Sequence, residues 1–77
     1  MTLTSAKVQT SYRILHVHVD DDSAMGARFR QLGFVPGITL SCEALAPLLK
    51  HPLLVRVRGM QVALSLHEAQ LIQVEAL

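Results

Sequence analysis

The chain has 77 residues, 51% of them hydrophobic, and a formal net charge of +1. A chain of this length forms one domain, and its apolar content predicts a substantial core. No apolar run approaches the roughly 20 residues of a membrane-spanning helix, and no secretory signal is found, so we expect a cytoplasmic protein without direct membrane insertion. The single cysteine, Cys42, excludes an internal disulfide and is expected to be a small buried hydrophobe.

Two function classes are disfavoured by composition. The basic residues are scattered, and one Tyr, two Phe and no Trp cannot form a stacking platform, which argues against nucleic acid as a partner. Paired carboxylates, a glycine-rich phosphate loop and triad-like spacing are all missing from the sequence, so we expect no enzymatic activity and no catalytic residues.

The first segments of the chain predict an arm followed by a strand. Residues 1–11 are polar apart from Leu3 and Val8, and we expect a flexible N-terminal arm before a domain that covers residues 12–77. From Tyr12 to Val19 the residues alternate, which predicts a half-buried strand. One face is expected to carry Leu15, Val17 and Val19, and the solvent face Ile14, His16 and His18.

A helix is predicted from Ala24 to Leu32, because Met25, Phe29 and Leu32 fall at helical spacing on one face. The acidic segment 20–23 precedes it and can cap free N–H groups at the positive end of the helix dipole. Gly26 is expected to weaken the first turn.

A corner follows this helix. Gly33 stands where a helix C-terminus needs a left-handed residue, and Phe34 would then pack back onto Phe29. Pro36 and Gly37 suit the two central positions of a type II turn. The segment therefore predicts the end of the helix, a tight turn and the start of a strand.

The second half of the chain predicts four further strands. We expect them at Ile38–Ala44, Leu53–Arg58, Gln61–Leu66 and Leu71–Ala76, with Leu66 among the inward residues. A proline-bracketed loop lies between the first two, Gly59-Met60 resembles a hairpin turn, and residues 67–70 predict a helical turn. Five short strands and one helix after the first predict a mainly β fold, a small barrel whose closure removes exposed edges.

Several segments together resemble the ferrous iron transport protein A family, from about Tyr12 to the C-terminus. The most specific is the corner Leu32-Gly33-x-x-Pro36-Gly37, combined with Gly59 and a later Glu-Ala pair at the expected separations. The remaining matches are Ala46-Pro47-Leu48, Val55–Gly59, Val62–Leu64 and Ile72–Val74. The loop from Pro47 to Pro52 departs from the family, because Leu49 replaces the usual glycine.

This resemblance implies an SH3-like barrel of about five strands, with a short helical turn before the last. It also implies a cytoplasmic, non-catalytic accessory of ferrous iron uptake whose partner is the GTPase transporter ferrous iron transport protein B. Similar domains also occur at the C-terminus of iron-dependent repressors, but nothing in this sequence resembles a helix-turn-helix. Recognition of proline-rich peptides is not implied, because Tyr12 alone cannot line an aromatic groove.

Candidate metal ligands lie on the first strand. His16 and His18 are two residues apart, so they share a face, and Glu75 would join them if the first and last strands pair. The alternative is that both histidines are solvated surface residues. No cofactor is expected to be required, and Fe²⁺ or Zn²⁺ is the divalent metal that such a site would take.

Candidate partner-binding residues lie in the leucine-rich loop and on the helix: Leu48, Leu49, Leu53, Arg28 and Arg30. The leucines either form a contact patch or cover one end of the barrel. Two functions are therefore left open. One is a regulatory module that binds the transporter, and the other is a metal-binding protein or metal-bridged homo-oligomer.

Overall fold

A computed structural model describes residues 1–45 and 52–77. After a short 3-10 turn at Leu3–Ser5, its elements are β1 (Thr10–Val17), α1 (Ala24–Leu32), β2 (Thr39–Leu45), β3 (Leu53–Val57), β4 (Met60–Leu64), α2 (Leu66–Gln70) and β5 (Ile72–Ala76).

The five strands form one antiparallel sheet in the order β4-β3-β2-β1-β5. The first and last strands pair, with Ile14 opposite Val74 and Val17 opposite Ile72. Apolar side chains from all five strands and both helices meet in a single buried cluster, so the sheet curls around one core. The first and last strands therefore pair, as the placement of Glu75 required. The predicted closure that removes exposed edges is wrong for the described strands, because β4 and β5 end the sheet and do not pair with each other.

The corner after α1 forms as predicted. Gly33 is left-handed, with φ of 95°, and the Phe34 N–H donates to the Phe29 carbonyl at 2.9 Å. The two Phe rings pack edge to face with centroids 5.6 Å apart, and both side chains are buried. Gly37 has φ of 92°, and the turn closes with a hydrogen bond from the Ile38 N–H to the Val35 carbonyl.

The start of α1 depends on a tight contact at Gly26. Ser23 is the N-cap, and its hydroxyl accepts a hydrogen bond from the Gly26 N–H at 3.0 Å. A Cβ at Gly26 would lie 2.3 Å from the Asp20 carbonyl oxygen. The glycine that lowers helix propensity therefore allows the preceding segment to approach the helix closely.

The expectation of a flexible arm at residues 1–11 is corrected. Leu3 is 1% exposed in the core, Thr2 bridges to Gln73, and the Val74 N–H donates to the Met1 carbonyl at 2.8 Å. Strand β1 also begins at Thr10, before the predicted boundary. The short 3-10 turn explains the difference, since it directs Leu3 of a mostly polar segment inward.

The predicted faces of the first strand are also partly wrong. Ile14 is buried at 1% exposure, whereas Leu15 is 42% exposed. The register with β5 shifts between Ile14 and His16, which is the mark of a β-bulge. An extra residue reverses the alternation, so Val17 and Val19 still pack against the core although Leu15 does not.

The β3–β4 hairpin turns one residue earlier than predicted. Val57 pairs with Met60, so the two turn residues are Arg58 and Gly59, with φ of 52° and 80°. Two positive φ values give the primed turn whose twist suits a hairpin.

The predicted inward position of Leu66 is wrong, because this residue begins α2 after the Ser65 cap and is exposed.

An ion pair joins the two helices. The Glu68 carboxylate closes the capping box of α2 with Ser65 and also pairs with the guanidinium of Arg28 on α1. Burial alone would raise the pKa of Glu68, but the Ser65 backbone N–H and the Arg28 charge outweigh it and hold that pKa below its ordinary value.

Gly33→Val should lower the free energy of unfolding by about 1–2 kcal/mol or more, because a β-branched residue is disfavoured at positive φ. A Cβ here would also lie 2.5 Å from Cδ of Arg58. Gly37→Val is the matched control, since Gly37 is left-handed but has no atom within 4 Å of its Cβ position. Thermal melts should show the larger loss for Gly33→Val; an unchanged melt would contradict this account of the corner.

Glu68→Gln should destabilise the protein by about 1 kcal/mol at pH 7, because it removes the charge that pairs with Arg28. A lowered folded pKa gives stability that is present above the unfolded carboxyl pKa of about 4.3 and is lost as pH falls through the folded value. Urea melts should therefore show the difference from wild type shrinking between about pH 5 and pH 3. Glu75→Gln, at an exposed ion pair, is the control, and a pH-independent difference would contradict the prediction.

Candidate binding surfaces

The first candidate surface is a pair of histidines at the end of β1. His16 and His18 are both exposed, and their ring centroids are 4.3 Å apart in an edge-to-face arrangement. Nε2 of His18 lies 3.2 Å from Oε1 of Gln73, on the neighbouring strand. The bulge in β1 causes this arrangement, since the register shift sets His16 opposite Gln73.

Glu75 does not belong to this cluster, and its prediction as a third ligand is corrected. Its strand position is opposite Arg13, and the two side chains form an exposed ion pair at 3.5 Å. Within residues 1–45 and 52–77, no group of three or more His, Cys, Asp or Glu side chains could hold a metal ion. One chain therefore contributes two imidazoles there, not a complete site.

The second candidate surface is a groove of about 300 Å³ between the end of β1, helix α1 and the corner; it is called the corner groove below. Apolar side chains provide most of its lining, namely Val17, Val19, Phe29, Phe34, Val35 and Pro36. His16, Asp21 and Arg30 add polar groups. Since Phe29 and Phe34 are buried and these three are exposed, the groove has an apolar floor and a polar rim.

The two candidate arginines of α1 each have a partner. Arg30 donates to the Asp21 carbonyl at 2.8 Å and lies 3.5 Å from the Asp21 carboxylate, which fixes it at the rim of the corner groove. Arg28 pairs with Glu68 on α2. Both arginine side chains remain about half exposed, so they are still available for contact.

Leu53 is 0% exposed and packs in the core, so its prediction as a partner contact is wrong. It begins β3 opposite Leu64, and this pairing turns its side chain to the inner face of the sheet. Leu48 and Leu49 lie outside the described residues and stay predictions. Cys42 is buried as expected, and burial raises the pKa of its thiol, which disfavours the nucleophilic thiolate.

Sequence reasoning missed the corner groove. The sequence pattern places Phe34 only in the helix cap, and Val35 and Pro36 only in the turn. A signal existed, because three successive apolar residues stand where a surface turn is usually polar. What the sequence could not supply was the approach of β1, which forms the opposite wall.

A family model described as the FeoA domain matches residues 1–76. No curated protein matched the sequence. Among the described residues, neither helix is long and apolar enough to cross a membrane.

Solved structures match over nearly the whole chain. Iron(II) transport protein A from Clostridium thermocellum is 27% identical with a TM-score of 0.91, covering 100% of this chain and 46% of that one. The FeoA of Stenotrophomonas maltophilia in complex with zinc is 34% identical with a TM-score of 0.83, covering 97% and 89%. The FeoA protein from Chlorobium tepidum is 30% identical with a TM-score of 0.87, covering 100% and 70%.

These matches agree with the architecture. The S. maltophilia protein is described as a prokaryotic SH3 domain protein, and the five antiparallel strands with two short helices seen here confirm the predicted SH3-like fold. The chain spans under half of the C. thermocellum chain it resembles. Because the family model covers all but one of its residues, the chain belongs to the FeoA domain family.

Proposed function

We propose that this protein is a non-catalytic, cytoplasmic accessory of ferrous iron uptake that binds the GTPase transporter ferrous iron transport protein B. Membership of the FeoA domain family carries the link to ferrous iron transport. The S. maltophilia relative is described as a candidate activating factor of bacterial ferrous iron transport, which supports an accessory role.

The corner groove is the proposed contact surface. A protein without catalytic groups acts through contact, and contact energy concentrates in a few apolar or arginine anchors. The groove offers a concave apolar floor for one such anchor of the transporter, with Arg30 at its rim for a carboxylate. Leu48 and Leu49 are further candidates for this contact.

Val35→Asp should weaken binding to the cytoplasmic domain of the transporter about tenfold or more, because a carboxylate would be buried against the apolar anchor. Arg30→Glu should weaken it less, since Arg30 is exposed. The matched control is Val8→Asp, at an exposed valine that does not line the groove. Binding is measured by calorimetry, and each variant is melted to show that it folds.

These binding measurements distinguish the corner groove from the leucine-rich loop as the contact surface. Binding by Val35→Asp that equals wild type, with an unchanged melt, contradicts the groove. If Leu49→Asp then loses binding while its melt is unchanged, the leucine-rich loop is the contact instead. If wild type does not bind the transporter domain at all, the partner proposal itself is wrong.

A second proposed function is divalent metal binding by His16 and His18, in which neighbouring chains complete the site. The observation that supports this function is that the centroids of the two exposed imidazole rings lie 4.3 Å apart. Because an amide oxygen only accepts, Gln73 Oε1 favours the tautomer with hydrogen on Nε2 of His18 and leaves Nδ1 with the lone pair. Zinc usually takes four ligands, so two chains that contribute two imidazoles each would satisfy one ion.

His16→Ala combined with His18→Ala should abolish Zn²⁺ or anaerobic Fe²⁺ binding in calorimetry without a change in melting temperature. His67→Ala, at an exposed histidine on α2, is the control and should bind like wild type. The expected stoichiometry is one ion for two chains. Equal binding by the double variant and wild type would remove these residues from the site.

A further inference from the structure

Strand β4 is an edge of the sheet, and its backbone has a definite set of outward groups. The two-residue turn at Arg58-Gly59 makes Val57 and Met60 the closing hydrogen-bonded pair of the hairpin. Hydrogen-bonded and non-hydrogen-bonded pairs alternate along an antiparallel ladder. Gln61 and Ala63 therefore direct their N–H and C=O groups away from β3.

No described residue outside the strand accepts from or donates to the backbone of Gln61 or Ala63. The other edge of the sheet differs. There the N-terminal segment covers β5, because the Val74 N–H donates to the Met1 carbonyl and Thr2 bridges to Gln73. One edge is thus closed by the chain itself, whereas β4 presents unpaired backbone groups among the described residues.

Strand β4 also lacks the usual protection of an edge. Its sequence Met60-Gln61-Val62-Ala63-Leu64 has no charge and no proline, and its pairing with β3 has no bulge. Gln61 and Ala63 are exposed, so the strand is accessible. The charges beside the strand neutralise each other, because Arg56 donates to the Glu43 carboxylate at 3.1 Å. Gln61 donates to the same carboxylate.

We propose that β4 is a self-association edge that pairs antiparallel with β4 of a second copy, about a two-fold axis at Val62. In that register Gln61 of each copy lies opposite Ala63 of the other, and the outward groups of the two residues form four hydrogen bonds. Every outward donor and acceptor of the strand centre is then satisfied.

A second copy fits this edge because the strand is complementary to itself. An uncharged strand meets its copy without like-charge repulsion, and the large Gln61 side chain lies opposite the small Ala63. The same register sets Met60, which is 46% exposed, opposite Leu64 at the other end of the partner strand. The pairing therefore covers the exposed Met60 side chain as well as backbone groups, whereas Leu64 is already buried in its own core.

Sedimentation of wild type from about 10 μM to about 1 mM tests the proposal, with EDTA present so that metal bridging is removed. We expect a reversible dimer whose dissociation constant rises about tenfold or more in Ala63→Lys, because the two lysines would lie diagonally across the axis on the same face, where like charges repel. Ala63→Pro, which removes an outward N–H, should do the same. Thr39→Lys is the matched control, at an exposed residue on the inner strand β2, and should dimerise like wild type.

Amide hydrogen exchange gives the site-specific readout. The Gln61 and Ala63 amides should become protected from exchange as the concentration of wild type rises. They should exchange freely in a solution dilute enough for the protein to be monomeric. A wild type that stays monomeric at 1 mM, equal dimerisation by Ala63→Lys, or a dimer without this protection would each overturn the proposal. None of these outcomes bears on transporter binding or on the histidine pair.

Discussion

The left-handed cap at Gly33 is the interaction on which the rest of the molecule depends. It ends α1 and directs Phe34 back onto Phe29, so that two buried aromatic rings join the helix to the strand that follows. The methylene groups of Arg58 lie against Gly33, which brings the β3–β4 hairpin to the same corner. A side chain at Gly33 would therefore disturb the helix end, the aromatic pair and the hairpin together.

The corner also creates the surface that we assign to the transporter. Phe29 and Phe34 form the floor of the corner groove, and the close approach at Gly26 brings the acidic segment before α1 to its rim. Arg30 is held there by Asp21, while Arg28 holds the opposite side of α1 to α2. The groove is thus bounded by a helix fixed at several points, which favours a preformed contact surface.

His16 belongs to both candidate surfaces, because it lines the corner groove and also contacts His18. An ion held by the two histidines would stand at the rim of the groove and add positive charge beside it. If bound metal changes the affinity for the transporter, then bound transporter changes the affinity for metal by the same factor. His16 would carry this coupling, because it belongs to both surfaces. The β-bulge in β1 is the structural reason, since it sets His16 opposite Gln73.

The sequence by itself determined the local features: the bounds of α1, its cap, the type II turn, and the alternation of β3 and β5. These follow from contacts within a few residues, such as Phe34 to Phe29, for which residue type and spacing are sufficient. Only the tertiary structure decided the burial of Leu3 and Leu53, the bulge at Leu15, the separation of Glu75 from the histidines and the existence of the corner groove. Each of these depends on which strand lies beside which and in what register, and a shift of one residue in register reverses every side chain beyond it.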